Sequence, residues 1–396
     1  MILLIKHLNT LINRLLTSPE ANAAERLGIF RILYSLFYLW YLSTNKISFL
    51  SSLPTDAFRQ TVLLSYFLPK PLPAILTNGL EFLLVTSLIM LLFGTYTQLC
   101  TLVVLISGCL LEACYSSVDH ELAMVFLVFY IPLSMVVCGG WGDTYSVDKA
   151  LHQRRDSVEI NTVKKASKYA LPINSLIVVL SILFFSSFIY KILGSWINYP
   201  ELISNLVLER NIRAAIYQLP LNRLAPFIST TPFAYHSLRI ITLAFEGTFI
   251  VTVFCKQLRN IYFPLALIFH AFNAIWLNVT FTPVLILYGL FIDWSSLYKT
   301  LLASQITTPI SAILSDFPAK FLMYGSIFLA ILSGLLWNIQ VWFPRSFFTL
   351  GGVVNWQTIW YPVLPLSVIW LLLGIIQLSS TQTIEKIQHG IRSEEA

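Results

Sequence analysis

The chain has 396 residues, of which 57% are hydrophobic, 14% aromatic and only 11% charged, where about a quarter of a soluble globular chain is charged. A fold of this size needs more polar surface than that composition supplies, so a soluble domain is excluded, and so are disorder, collagen and coiled coil. The net charge of +6 would in a soluble protein raise nucleic acid as a partner. Here the basic residues lie in short connections between apolar runs, where cations fix membrane topology, and no nucleic acid is expected.

Residues 1–19 open with MILLIKHLNTLINRLLTS, in which Leu4, Leu8, Leu11, Ile12 and Leu15 recur at helical spacing while Lys6, His7 and Arg14 interrupt the apolar run. That pattern predicts an amphipathic helix lying in the headgroup plane rather than a cleaved signal. Apolar segments of spanning character follow at about 27–43, 78–94, 97–115, 121–140, 170–191, 236–255, 260–278, 280–293, 320–340 and 357–378. The eighth is short enough to be a half-helix packed in protein. The expected fold is all-α, a polytopic membrane helix bundle of about eight to ten transmembrane helices.

The connection 148–168 is the most basic, with Lys149, Arg154, Arg155, Lys164, Lys165 and Lys168. Placing it in the cytoplasm carries the N-terminus and the pair Lys256/Arg259 there too, and an even number of spans puts both termini inside. The connections 112–121 and 192–235 then face the other side. The latter, with Arg210, Arg213 and Arg223, reads as a solvated loop anchored at the interface, or as a contact for an anionic substrate or headgroup. Cys100, Cys109, Cys114, Cys138 and Cys255 form no CxxC pair, and buried, inert thiols are expected.

A charged side chain at the centre of a membrane helix costs on the order of 2.5–3.5 kcal/mol on insertion scales, so each one calls for a reason. Five places stand out: Arg31 in RLGIFRILYSLFYLW; Asp119, His120 and Glu121 at the start of the fourth span; Lys191 in FFSSFIYKILGSW; Glu246 in LAFEGTFIVTVF; and His270 with Asn273 in LIFHAFNAIW. Arg31 and Lys191 have snorkelling as an alternative. Asp119 and Glu121 have the helix dipole, and Glu246 has an ion pair with Arg31. His270 and Asn273 are three apart and share a helix face, serving either an interhelical hydrogen bond or the wall of a site. His120, Lys191 and His270 converge from three helices toward the non-cytoplasmic side, which makes a proton-handling pocket the functional expectation. Burial strips water from an amine and makes it a candidate base. The two histidines lack a third ligand at suggestive spacing, and no metal is expected.

Taken in order, these motifs resemble the HTTM (horizontally transferred transmembrane) family, related to the vitamin K-dependent gamma-glutamyl carboxylase. The resemblance covers roughly residues 20–295. RLGIFRILYSLFYLW is similar to the family's first helix, with Arg31 at its arginine; DHELAM places His120 at a functional histidine; WGDTYSVDKAL is similar to its SVD element. FFSSFIYKILGSWINYPEL resembles the stretch bearing the active-site lysine, here Lys191 five residues before Trp196. FEGTF, containing Glu246, and FHAFNAIW, containing His270 and Asn273, are similar to later helices.

The resemblance implies a domain at 20–295 followed by a C-terminal extension, 296–396, with about two further spans. It implies Lys191, His120 and His270 as catalytic residues, with Asn273, Arg31 and Glu246 toward the cofactor. The implied cofactor is a reduced isoprenoid quinone of the vitamin K kind, which the carboxylase's lysine deprotonates before oxygen chemistry drives glutamate carboxylation. The carboxylase also carries a large lumenal region that binds its propeptide. After residue 295 this chain offers a connection, one or two spans and a polar tail, so similar chemistry on a different lipophilic or peptide substrate is expected, with membrane lipids as partners. A bacterial plasma membrane, rather than an organelle membrane, is the expected location. Two other readings stay open: a non-catalytic membrane partner in maturation, export or immunity for a secreted peptide, and a transporter.

Overall fold

Hydrocarbon supplies no partner for a backbone N–H or C=O, so an apolar chain satisfies its backbone by coiling into helices. The structure, a computed structural model, describes residues 10, 12, 14–44, 72–115, 124–152, 162–199, 201–216, 221–222, 224–277, 279, 281–294, 319–338 and 357–394. Most of the N-terminal amphipathic stretch lies outside these residues, and so do Asp119, His120 and Glu121.

The helices begin with Ala23–Thr44 (α1), Ala74–Phe93 (α2), Thr97–Tyr115 (α3), Ile131–Cys138 (α4), Val147–His152 (α5), Thr162–Leu193 (α6) and Ser195–Asn198 (α7). They continue with Leu202–Ile216 (α8), Ala225–Thr230 (α9), Pro232–Thr248 (α10), Val251–Phe254 (α11), Lys256–Trp276 (α12), Thr282–Gly289 (α13), Ala319–Asn338 (α14) and Gln357–Glu394 (α15). No strand occurs among the described residues.

Five helical segments are long and apolar enough to cross a bilayer: Ala74–Phe93, Thr97–Cys114, Lys168–Leu193, Pro232–Phe254 and Ile359–Leu378. They match the second, third, fifth, sixth and tenth expected spans. The first and seventh are helices that carry charge, Glu25, Arg26 and Arg31 in α1 and Lys256 and Arg259 in α12. The fourth and eighth are short, Phe126–Cys138 and the eight residues of α13. The fold is an all-α polytopic membrane bundle.

The chain divides into two compact units, Met1–Leu176 with Pro283–Val354, and Ile177–Thr282 with Asn355–Ala396. The segment 296–396, expected as one extension, is therefore shared: α14 belongs to the first unit and α15 to the second.

In the first unit, α1, α2, α3 and α14 pack around a polar knot formed by the segment between α4 and α5. Arg31, 0% exposed, donates from one guanidinium nitrogen to the carbonyls of Trp141 at 2.8 Å and Thr144 at 3.3 Å, and from another to Tyr145 at 2.6 Å. Asp148 accepts the amides of Tyr96 at 2.9 Å and Thr97 at 2.8 Å, so the start of α3 is capped from α5. The intervening α2–α3 turn pivots on Gly94, whose φ of 71° belongs to the left-handed region and whose absent side chain leaves room for Ser146. At the start of α4, Pro132 cannot donate to the carbonyl of Val128 in the preceding turn, and Cys109 Sγ lies 3.5 Å from that oxygen as a weak donor. Within the same π-helical stretch, Phe126–Tyr130, the carbonyl of Leu127 accepts the Tyr34 hydroxyl at 2.8 Å.

In the second unit, side-chain pairs set the helix directions. Ser181 meets Thr252 at 3.0 Å and Phe184 meets Phe245, so α6 and the α10–α11 stretch run antiparallel. Phe249 meets Phe263 while Phe245 meets Phe269, which reverses the direction again at α12. Asn260 donates to Gln377 at 3.1 Å and His270 faces Trp360, so α15 runs antiparallel to α12. Pro264 leaves the carbonyl of Asn260 without an intrahelical donor, and that oxygen lies where a side chain on Gly374 would sit, so α15 can approach α12 this closely only with glycine there.

The connection 192–235 is not the loop expected from the sequence: it folds into α7, α8 and α9. Ile203 and Val207, one turn apart on α8, cluster with Ala225 and Ile228 of α9 and pack against Trp196, Tyr235, Leu238 and Leu277. Leu208, Ile212 and Ile216 leave the opposite face of α8 apolar and exposed, which suits the lipid interface better than bulk water.

Arg31→Met removes the donors of the carbonyls of Trp141, Thr144 and Tyr145, and a buried carbonyl left unpaired costs about 1–3 kcal/mol. Thermal unfolding in detergent should show a clearly lowered midpoint, with Arg31→Lys recovering only part of it. A midpoint unchanged in Arg31→Met would show that the carbonyl knot does not hold the first unit together.

Candidate functional site

Within the second unit, Ser181, Phe184, Ser187 and Lys191 recur along α6 at three- and four-residue spacing and form one stripe toward α10. Side chains on a helix lean toward its N-terminus, and Lys191 does so: its Nζ donates to Ser187 Oγ, four residues earlier, at 3.0 Å. The same Nζ donates to Glu246 Oε1, and Ser187 Oγ donates to that oxygen at 3.4 Å. The lysine and glutamate side chains are 15% and 6% exposed, so the pair is withdrawn from solvent.

The indole of Trp196 closes the outer side, with Lys191 Nζ 4.9 Å from its ring centroid, a distance at which a cation is drawn to the aromatic face. Trp196 is in turn held by Arg239, which donates to its carbonyl at 3.2 Å and to that of Ile197 at 3.4 Å. These contacts satisfy carbonyls at the end of the short α7. Glu246 Oε2, the other carboxylate oxygen, is buried and has no hydrogen-bond partner among the described residues.

Phe184 lies three residues before Ser187, about 4.5 Å away along the helix axis. Around it the rings of Phe245 at 5.3 Å, Phe249 at 4.4 Å and His270 at 5.8 Å form an aromatic floor. His270 also meets Phe281 at 5.1 Å and Trp360 at 6.2 Å. Asn273, three residues on, is buried, and its backbone carbonyl accepts the amides of Leu277 at 3.0 Å and Val279 at 2.9 Å. The arrangement is layered: a cation, a carboxylate and a hydroxyl above, aromatic rings and an imidazole below. Such a layering accommodates a molecule with a polar head on an apolar ring or chain.

Of the residues singled out in the sequence, Lys191, Glu246, His270 and Asn273 belong to this unit. Glu246 pairs with Lys191, not with Arg31, whose two terminal guanidinium nitrogens donate to the carbonyls of Trp141, Thr144 and Tyr145. Arg31 belongs to the first unit, and His120 lies outside the described residues. Three participants were not legible in advance: Ser187, Arg239 and Trp360. Ser187 had a signal in its i−4 spacing from Lys191; Arg239 and Trp360 had none, since only the tertiary structure puts them near. The cysteines carry free thiols, and no three His, Cys, Asp or Glu side chains gather into a metal-holding group among the described residues.

Breaking a buried pair leaves one charge uncompensated, at a cost of about 3–5 kcal/mol. Lys191→Met and Glu246→Leu should each destabilise the protein, while the double variant should be more stable than either single one. Denaturant unfolding in detergent measures this; additive single effects would mean that the two side chains are not coupled. No protein-family model, no curated protein and no solved structure matches the chain, and its functional reading rests on the geometry around Lys191.

Proposed function

We propose that this integral membrane protein is an enzyme of the HTTM, carboxylase-like class, which takes a reduced isoprenoid quinone or another lipophilic substrate against Lys191. The observation that carries the reading is the largely buried Lys191–Glu246 pair held by Ser187, with the aromatic floor around Phe184 three residues earlier on the same helix. Lys191 is the base and Glu246 its partner; His270 and Asn273 form the wall beneath. His120 belongs to the reading through the family resemblance. Arg31 belongs to the first unit, where it donates to the carbonyls of Trp141 and Tyr145.

The pair solves an electrostatic difficulty. A lone protonated lysine that gives up its proton in hydrocarbon changes the net charge of its surroundings, which a low dielectric opposes. Passing the proton from Lys191 Nζ to Glu246 Oε1 leaves the pair neutral before and after. The free amine that results can accept a proton from a substrate hydroxyl, and Ser187 keeps the amine aligned throughout. Trp196 and the helices α7–α9 shield this exchange from water, which limits proton leakage.

The residues fit a hydroquinone. The partnerless Glu246 Oε2 is an acceptor for a phenolic hydroxyl, and Phe184, Phe245 and His270 offer faces for its ring. When bound, such a molecule would supply an acidic hydroxyl and reducing equivalents. A bacterial plasma membrane location with both termini cytoplasmic accompanies the proposal, supported by the basic residues between 148 and 168.

One feature favours a second reading, a non-catalytic membrane partner in maturation, export or immunity for a secreted peptide. A lysine neutralised by its own glutamate is also what a purely structural crosslink between two helices looks like.

Oxygen uptake by purified protein supplied with a short-chain naphthohydroquinone separates the two. The enzyme reading expects uptake that falls by about a hundredfold or more in Lys191→Ala, the loss typical of a missing general base. Glu246→Gln is expected to reduce uptake as well. Protein-dependent uptake that is unchanged in a folded Lys191→Ala variant, or absent in the wild type, overturns the quinol-enzyme reading in favour of the structural one.

A further inference from the structure

Trp360 lies near the start of α15, outside the stretch that resembles a known family, and nothing in its sequence surroundings marks it. It is fully buried, at 0% exposure, and its indole Nε1 has no hydrogen-bond partner among the described residues. A buried indole N–H ordinarily finds an acceptor, because leaving the donor unpaired in a low dielectric is costly. The ring of His270 lies 6.2 Å from the indole, and that imidazole is flanked by Phe184 and Phe281. The phenyl rings supply no oxygen or nitrogen acceptor, and the imidazole makes no hydrogen bond with the indole. A water needs two to four polar partners to be held in such a place, whereas an oxygen carried on an apolar body brings its own apolar contacts.

The position of the indole is fixed by the helix that carries it. At the far end of the α12–α15 contact, Gly374 lies against the carbonyl of Asn260, and Asn260 donates to Gln377 at 3.1 Å. Those contacts set the register of α15, so Trp360 is directed beside His270 rather than into lipid. It faces the aromatic floor beneath Lys191 and Glu246 from the helix opposite α6.

We infer that Trp360 is a ligand-binding residue of this site: its Nε1–H donates to a carbonyl or hydroxyl oxygen of a lipophilic ligand whose apolar body lies against His270 and Phe184. The inference rests on the reading of the second unit as a site for a lipophile and names a contact that this reading lacked. It gives an amphiphile two polar anchors, Lys191 with Glu246 at one end and Trp360 at the other, with rings between them. A plain hydrocarbon tail cannot use the Trp360 donor; an oxygen carried on an apolar body can.

The test is mass spectrometry of lipids extracted from wild-type, Trp360→Phe and Lys191→Ala protein purified in the same mild detergent. The expected result is a lipophile with a carbonyl or hydroxyl oxygen that the wild type retains and Trp360→Phe holds about tenfold less, the effect of one lost hydrogen bond. The smaller ring of Trp360→Phe also leaves a cavity that lowers its unfolding midpoint, so retention is compared in protein that remains folded. If Trp360→Phe does not fold, benzothienylalanine at position 360 keeps the bicyclic shape without the N–H and takes its place. Equal retention in wild type and the N–H-less variant overturns the inference, and so does a wild type that retains no such molecule. The underlying reading fails separately. If the molecule lost is not a quinone, the contact of Trp360 stands and the quinol chemistry falls; if a quinone is retained equally by both, the quinol chemistry stands and the contact falls.

Discussion

In hydrocarbon no water relieves a buried charge or an open hydrogen bond, and that single constraint governs both units of this protein. Each cation buried within an apolar helix has to find its partners inside the chain. Arg31 finds them in three carbonyls of an irregular segment; Lys191 finds a carboxylate, a hydroxyl and an aromatic face. Arg259 follows the first pattern, donating to the carbonyl of Thr252 at 2.8 Å, and Arg26 combines the two, donating to the carbonyl of Leu290 at 2.9 Å and pairing with the Glu20 carboxylate at 3.5 Å. Arginine suits this task because its planar fork spans several carbonyls at once.

The two kinds of partnership have different chemical consequences. A guanidinium bound to carbonyls has nowhere to send a proton, and its role is to tie an irregular segment to a helix. An amine bound to a carboxylate can exchange its proton without any change in net charge. The first unit accordingly holds an arginine crosslink through Arg31, while the second holds a lysine–carboxylate pair withdrawn from solvent. The aromatic rings below that pair extend the contrast, since they make a dry environment in which proton position is strongly coupled to its partners.

The sequence made the candidate positions visible because a charge in an apolar run is conspicuous one residue at a time. Arg31, Lys191, Glu246 and His270 could all be picked out that way. Their partners could not. Glu246 lies 55 residues from Lys191 along the chain, and by sequence it was as suitable for Arg31. The choice depends on the register of α10 against α6, set by contacts such as Ser181 with Thr252 and Phe184 with Phe245. The connection 192–235 departs from its sequence expectation for a related reason. Its arginines suggest solvent, but Ile203 and Val207 find a core only when Leu277 and Tyr235 are brought to them.

By itself the sequence determined the class of the protein, a helical chain in a membrane, because composition and the length of apolar runs act through the free energy of transfer and need no knowledge of neighbours. It also determined which polar residues would demand an explanation. Only the tertiary structure decided what satisfies each of them: a carbonyl knot for Arg31, a carboxylate for Lys191, an aromatic floor with Trp360 beside His270. Hydrogen bonds and ion pairs fall off over a few ångströms and depend on direction, so they are decided by helix register and crossing, which no local stretch of sequence contains.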